Sequence, residues 1–173
     1  MPDLTLSAAL SHTAVEDLNQ LRDRIVTCLG KLTDDQIWAR AASNENAIGN
    51  LVLHLCGNVR QWIGFGLGGK PDIRVRDREF QAQGGATRQE LAERISAVVD
   101  DAVAVISSLD EAALLRPTTV QGYNVTGVAV LVHVVQHFGQ HTGQIILLTK
   151  HATGEDLGFY AHLSNPTHAE KTP

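Results

Sequence analysis

The segment that reads HFGQHTGQ, residues 137–144, places two histidines four residues apart. Because residues four apart lie on the same face of a helix, His137 and His141 can direct both rings at one point. Many metal sites use this spacing, and neutral imidazole binds zinc, nickel, iron or copper. His133 lies four residues upstream. Each four-residue step drifts by about 40° around a helix, so we expect His133 to pack beside the ligands or orient them rather than bind the same ion.

A second helical segment supplies one more interior histidine, His54, in GNLVLHLCGN. Three histidines from two facing helices would form a three-nitrogen site with open positions, as in catalytic centres, whereas structural zinc sites are closed and four-coordinate. The alternative is that His54 is a half-buried, hydrogen-bonded residue and that the pair on the other helix lines a solvated face. The spacing alone leaves both interpretations open. The remaining histidines have no partner at useful spacing and are expected on the surface or in loops: His12, His151, His162 and His168.

Other metal chemistries lack their ligands in this sequence. There is no Glu-x-x-His, which a di-iron carboxylate bundle requires. There is no His-Glu-x-x-His, so the adjacent glutamate base of the zincins is missing. The two cysteines, Cys28 and Cys56, do not have zinc-finger spacing or form a disulfide framework, and we expect them to be small core residues.

Composition indicates an ordinary globular chain. Its 173 residues are 43% hydrophobic and 19% charged, with a net charge of −5 and a pI of about 5.9. No basic run favours nucleic acid, and no apolar run is long enough to span a membrane. The first ten residues do not resemble a signal peptide, and the cysteine usage suits a reducing compartment, so a cytoplasmic location is expected. One domain is predicted over residues 1–163, followed by a disordered polar tail at 164–173.

The dominant hydrophobic period is helical. Four long amphipathic segments are predicted, and four such segments in one domain indicate an all-α four-helix bundle. They run from 14 to 32, from 46 to 67, from 87 to 109 and from 126 to 151. Thr87 and Glu90 form a capping box, and Thr33 caps a short helix within 33–45. Only PTTVQGYNVT has extended character, and residues 68–85 form a long, glycine-bracketed loop between helices 2 and 3.

Two motifs together resemble the DinB-like (YfiT-like) metalloenzyme superfamily: NAIGNLVLHLCGNVRQWI and, later, HVVQHFGQHTGQI. The preceding QIWARAASNENAIGN is similar to a subgroup of unknown function, and the resemblance covers residues 10–150. It implies a four-helix bundle, a homodimer, and a divalent metal held by His54, His137 and His141. The commonest family sequence after the last ligand is His-Arg-Gly-Gln. Here Thr142 replaces the arginine, so a substrate contact made by that arginine is not expected.

The resemblance also implies a reaction class. Some members of the superfamily resemble S-transferases and isomerases that use low-molecular-weight thiols. A metal with open positions lowers the pKa of bound water or deprotonates a coordinated thiol. The histidine-rich helix has no Asp or Glu between Thr126 and Lys150, so thiol chemistry suits it better than hydrolysis, which needs a general base. We therefore expect a thiol-dependent S-transferase or a related hydrolase, with zinc or nickel favoured over iron and a small-molecule substrate. The alternatives are a non-catalytic metal-binding or stress-related bundle, and a metal-free dimer.

Several residues are candidates for shaping the pocket. Asn50 and Asn58 flank His54 at i−4 and i+4, and capping or surface roles are equally compatible with their positions. The positions of Gln140 and Gln144 are likewise compatible with a role in the pocket or with a capping or surface role. The two tryptophans, Trp38 and Trp62, are expected in the core. The alternating arginines of the long loop could contact an anionic co-substrate, but the favoured interpretation is a charged, solvated loop: Arg74, Arg76 and Arg78.

Overall fold

The computed structural model describes residues 5–164 and shows an all-α bundle, as the sequence predicts. Its four long elements are helix α1, helix α3 with the π-helix that continues it, helix α5 and helix α7. In chain order the helices are α1 (Leu6–Lys31), α2 (Asp34–Trp38), α3 (Ile48–Val59), the π-helix (Arg60–Phe65), α4 (Arg76–Gln81), α5 (Arg88–Ser107), α6 (Glu111–Leu115), α7 (Gly127–Thr153) and the 3₁₀ helix (Ala161–Ser164).

The helix ends follow the capping residues that the sequence suggests. Thr33 accepts a hydrogen bond from the backbone of Gln36 and begins α2. Thr87 and Glu90 form the predicted capping box at the start of α5. Thr126 caps α7, and α7 ends at Gly154. Each cap satisfies backbone N–H groups that have no partner within the helix, which fixes where the element begins.

The core lies where α1, α3, α5 and α7 face one another. Their inward positions are fully buried aliphatic and aromatic side chains, among them Leu18 and Ile25 of α1, Leu55 of α3, Ile95 of α5 and Phe138 of α7. Helix α1 packs against α5 and α7, and α3 packs between the same two helices. Because α3 and α7 are neighbours, the histidines they carry lie at one helix–helix interface.

The second predicted helix differs from the expectation in its last two turns. The sequence predicts one helix from 46 to 67, whereas the structure has α-helix to Val59 and a π-helix over Arg60–Phe65. A π-helix widens the backbone and rotates the side chains that follow, and such segments often lie beside functional sites. Its Trp62 is buried, as expected of a core residue.

The predicted loop at 68–85 contains the short helix α4, which sequence periodicity does not reveal. A helix of six residues is marginal by itself and depends on the surface it packs against. Helix α4 packs on α3. The loop is tied down by the fully buried side chain of Asn50, whose amide donates to the carbonyl oxygens of Glu79 (2.9 Å) and Ala82 (2.8 Å). The Asn50 Oδ1 atom accepts from the Ala47 backbone and from Arg40.

The extended stretch forms an antiparallel hairpin of β1 (Pro117–Val120) and β2 (Tyr123–Thr126). Its two-residue turn, Gln121–Gly122, has positive φ at both positions, 53° and 80°. This is the backbone that tight hairpins require, and glycine adopts it without strain.

Residues 165–173, which make up nearly all of the predicted tail, lie outside the described part of the chain; Ser164 ends the 3₁₀ helix. No helix within residues 5–164 is both long and apolar enough to cross a membrane.

The Asn50→Ala substitution should destabilise the protein by about 3 kcal/mol, because it leaves the buried Glu79 carbonyl and the buried Ala47 N–H without the partner that Asn50 supplies. Denaturant unfolding measures this loss. Asn44, an exposed residue upstream of α3, is the matched control, and Asn44→Ala should change stability by less than about 0.5 kcal/mol. Equal effects of the two substitutions would show that Asn50 does not hold the loop.

Candidate metal centre

The structure brings together His54 of α3 and His137 and His141 of α7. One ring nitrogen from each residue lies within 4.8 Å of the other two. The Nε2 atoms of His54 and His137 are 2.9 Å apart. His54 is 4% exposed, and the other two rings are half-buried. The three nitrogens therefore converge on one point at the interface between α3 and α7.

The outer nitrogen of His54 contacts a carboxylate from α4. Its Nδ1 atom is 2.9 Å from Glu79 Oε2. Arg74 holds that carboxylate from the other side with two bonds, Nε to Oε1 and Nη2 to Oε2, each 2.8 Å long. The Arg74 and Glu79 side chains are 5% and 11% exposed. This is a bidentate, largely desolvated ion pair beside a histidine, a geometry that fixes all three groups.

The ion pair also determines which nitrogen of His54 carries the proton. The Arg74 Nη2 atom, which donates to Glu79, is 3.1 Å from the same Nδ1 atom. The ionised Glu79 can only accept hydrogen bonds, so His54 donates to it from Nδ1. In the neutral ring, the form that binds a metal, the Nε2 atom then has the lone pair, directed at the other two histidines. A carboxylate that orients a ligand histidine in this way is a common feature of metal sites.

His141 is oriented by its own helix. Its Nδ1 atom is 2.6 Å from Oε1 of Gln144, one turn further along α7. An amide oxygen accepts, so Nδ1 is the donor and the other ring nitrogen keeps its lone pair. The exposed Gln144 thus contacts a ligand candidate, whereas Gln140 is exposed and faces away from the interior.

His137 and His141 are neutral near pH 7. Burial lowers the pKa of His137 to about 3, with further lowering by the charges of His141, His54 and His133. Burial also lowers the pKa of His141, an effect that the hydrogen bond with Gln144 opposes. Neutral imidazole is the form that binds a metal.

The donor set therefore fits a divalent metal. Three imidazoles converge, and His54 and His141 each hold a proton on the outer nitrogen, Nδ1. Zinc, nickel and iron all accept such ligands, and three protein ligands leave open positions for small molecules. Residues His54, His137 and His141 could hold one ion of this kind.

His133 lies beside the centre and not in it. Its ring stacks on His137 with centroids 5.5 Å apart and packs on Trp62 of the π-helix at 3.9 Å. Within residues 5–164 its Nε2 atom has no hydrogen-bond partner, and the same is true of Asn58 Oδ1 and Trp62 Nε1. Asn58 is buried one turn beyond His54. The side-chain amide of Asn50 donates to the loop carbonyls and does not reach the metal centre.

The solvated-loop interpretation is wrong for Arg74. Its guanidinium is buried against Glu79 and also donates to Gln61, because a bidentate carboxylate compensates the cost of removing the charge from water. Arg76 and Arg78 are exposed as expected, and Arg76 covers the ring of Phe80.

Neither cysteine is a reactive thiol. Burial raises the pKa of Cys56 to about 12 and also raises that of Cys28.

Sequence reasoning missed Glu79. The carboxylate is 25 residues from His54, in a loop with no recognisable motif. The one available signal was general: a buried ligand histidine needs a partner for its outer nitrogen, and the long charged loop was the segment able to supply one.

The chain is similar to one described protein family and to several solved structures. A sequence model of the mycothiol-S-transferase family matches residues 13–154. No curated protein sequence matches the chain.

Solved structures with a similar fold include a DinB-like protein from Bacillus subtilis, with a TM-score of 0.66, 20% identity, and coverage of 86% of this chain and 97% of that one. A conserved protein from Enterococcus faecalis has a TM-score of 0.69, 16% identity, and coverage of 84% and 98%. A DinB-like protein from Bacillus cereus has a TM-score of 0.65, 16% identity, and coverage of 80% and 90%. Together with the family model, these structures confirm the DinB-like relationship expected from the motifs.

Replacing Glu79 with glutamine should weaken metal binding by about 10- to 100-fold, because His54 loses the carboxylate that fixes its tautomer. Competition with a chromophoric chelator measures the affinity. The Asp77→Asn substitution, on an exposed residue of the same helix, is the control and should leave affinity unchanged. Unchanged affinity in both variants would rule out an orienting role for Glu79.

The metal-free protein should lose stability as pH falls below about 6.5. The pKa values of His137 and His141 are lower in the folded than in the unfolded chain, so the unfolded chain binds more protons in this range, and stability rises with pH. Denaturant unfolding between pH 7 and pH 5 should show a shallower dependence in His137→Gln than in the wild type. An Asn44→Ala control, which removes no titratable group from an exposed position, should keep the wild-type slope. Identical slopes in all three proteins would contradict the prediction.

Proposed function

Since the chain belongs to the mycothiol-S-transferase family, we propose that it is a metal-dependent transferase that joins a low-molecular-weight thiol to an electrophilic small molecule. The observation that carries the proposal is the convergence of three histidine nitrogens within 4.8 Å. The family name makes mycothiol the first thiol to test. Two other low-molecular-weight thiols, bacillithiol and glutathione, should be tested beside it for comparison.

The donor set determines what the centre supplies. A divalent ion bound by three neutral histidines keeps its positive charge and lowers the pKa of a thiol that coordinates it. The protein's part is to hold His54, His137 and His141 in place. Glu79 fixes the ring of His54, and Gln144 fixes the ring of His141.

The reaction needs little else from the protein. The thiol sulfur forms a bond to the electrophilic carbon, a leaving group departs with the electron pair of the broken bond, and the thiol proton passes to solvent. Glu79 is not available as a general base. Burial raises the pKa of Glu79, but hydrogen bonds from Arg74 and His54 outweigh burial and hold that pKa below its usual range. The arrangement therefore favours transfer to an electrophile over hydrolysis, which needs a base to activate water.

A conjugation assay tests the proposal. Protein loaded in turn with zinc, nickel and ferrous iron is mixed with mycothiol and monochlorobimane, an alkyl halide that becomes fluorescent when a thiol displaces its chloride. Metal-loaded protein should accelerate conjugation, and His54→Ala should reduce the enzymatic rate by about 100-fold or more. Parallel reactions with bacillithiol, glutathione and cysteine determine the thiol preference.

The exposed His12 gives the matched control, and His12→Ala should keep the full rate. A protein that binds metal but accelerates no thiol–electrophile pair, including epoxide and alkyl-halide substrates, would contradict the transferase proposal. That result would favour the non-catalytic metal-binding alternative.

A further inference from the structure

A cavity of about 300 Å³ adjoins the metal centre without including its histidines. It lies between α3, the segment that leads into α4, and α5. Glu79 and Arg74 form part of its wall, so this ion pair separates the cavity from His54. The volume is at the lower end of the range for small-molecule sites.

The cavity wall carries an excess of positive charge. Besides Arg74 it is lined by Arg60 at the start of the π-helix, Arg78 of α4 and Arg94 of α5. These three arginines come from three different elements, so their convergence is a property of the tertiary fold. The protein as a whole has a net charge of −5. Its average composition therefore does not account for a local cluster of arginines.

The two acidic groups of the wall are already engaged. Glu79 is held by Arg74 and His54. Asp72 accepts from Gln61 at 2.7 Å and from the Arg74 backbone at 3.1 Å. Neither carboxylate pairs with the three outer arginines.

Within residues 5–164, Arg60, Arg78 and Arg94 form no salt bridge and no side-chain hydrogen bond. Arg94 lies one turn after Glu90 on α5, and its charge helps to lower the pKa of Glu90. The two side chains form no hydrogen bond, because the Glu90 carboxylate is hydrogen-bonded to Thr87. Three guanidinium groups therefore retain their hydrogen-bonding capacity beside one cavity.

The cavity floor is apolar. It is formed by Leu53, Cys56 and Gly57 of α3, and Ile73 and Val75 of the segment before α4 also line the cavity. Gly57 is required here, because a Cβ atom at this position would collide with the Glu79 carboxylate. Burial raises the pKa of Cys56 to about 12, so its thiol stays protonated and is not an anionic partner for the arginines.

We propose that this cavity is a binding site for a small organic anion, with a carboxylate or phosphate head held by Arg60, Arg78 and Arg94 and an apolar body on the α3 floor. Guanidinium groups bind both head groups through paired hydrogen bonds. The site is separate from the three-histidine centre and does not require a metal there.

Isothermal titration calorimetry at constant ionic strength tests the proposal with hexanoate, hexyl phosphate and the uncharged analogue hexanol. At least one anion should bind with one-to-one stoichiometry, and hexanol should bind at least 10-fold more weakly. Arg78→Gln and Arg94→Gln should each weaken anion binding by about 10-fold. The difference between the two anions identifies the preferred head group.

Arg116, exposed between α6 and the hairpin, is the matched control, and Arg116→Gln should leave binding unchanged. The substituted arginines are all exposed, so the variants should keep the wild-type melting temperature. The proposal is wrong if neither anion binds at concentrations up to about 10 mM. It is also wrong if both cavity variants bind as tightly as the wild type, or if hexanol binds as well as the anions.

Discussion

The structure around the three histidines depends on one buried ion pair, Arg74–Glu79. Burying a carboxylate and a guanidinium is costly unless each satisfies the other, and here the two bonds between them do so at 2.8 Å. The Oε2 atom of Glu79 also accepts from His54. The ion pair thereby fixes the tautomer of the central histidine, and this in turn directs the histidine's free nitrogen at its partners on α7.

The same constraint explains features that look unrelated. Asn50 holds the backbone of the segment that carries Glu79. Gly57 leaves the space into which Glu79 fits. Gln61, from the π-helix, joins Arg74 to the hairpin, since its amide oxygen accepts from both Arg74 and Gln121. The long segment between α3 and α5 therefore helps to hold the candidate metal centre in place.

The sequence predicts the fold and the three histidines because both are encoded locally. Capping residues such as Thr87 and the four-residue spacing of His137 and His141 depend on helix geometry alone. Glu79 and Arg74 could not be located in this way, because their partners are brought to them by tertiary packing. From sequence alone, an arginine is predicted to lie on the surface. The carboxylate that would compensate its charge in the interior has no fixed spacing from it and so cannot be recognised. The π-helix was missed for a similar reason, because its residues keep an ordinary helical pattern.

The most direct test of the account is elemental analysis of protein purified without a histidine tag, beside the His137→Ala and His12→Ala variants. The account predicts about one zinc, nickel or iron ion per chain in the wild type and in His12→Ala, and a loss of that ion in His137→Ala. Circular dichroism confirms that the variants remain helical. A wild-type protein that holds no metal even after reconstitution, or a His137→Ala variant that keeps its metal, would contradict the three-histidine centre.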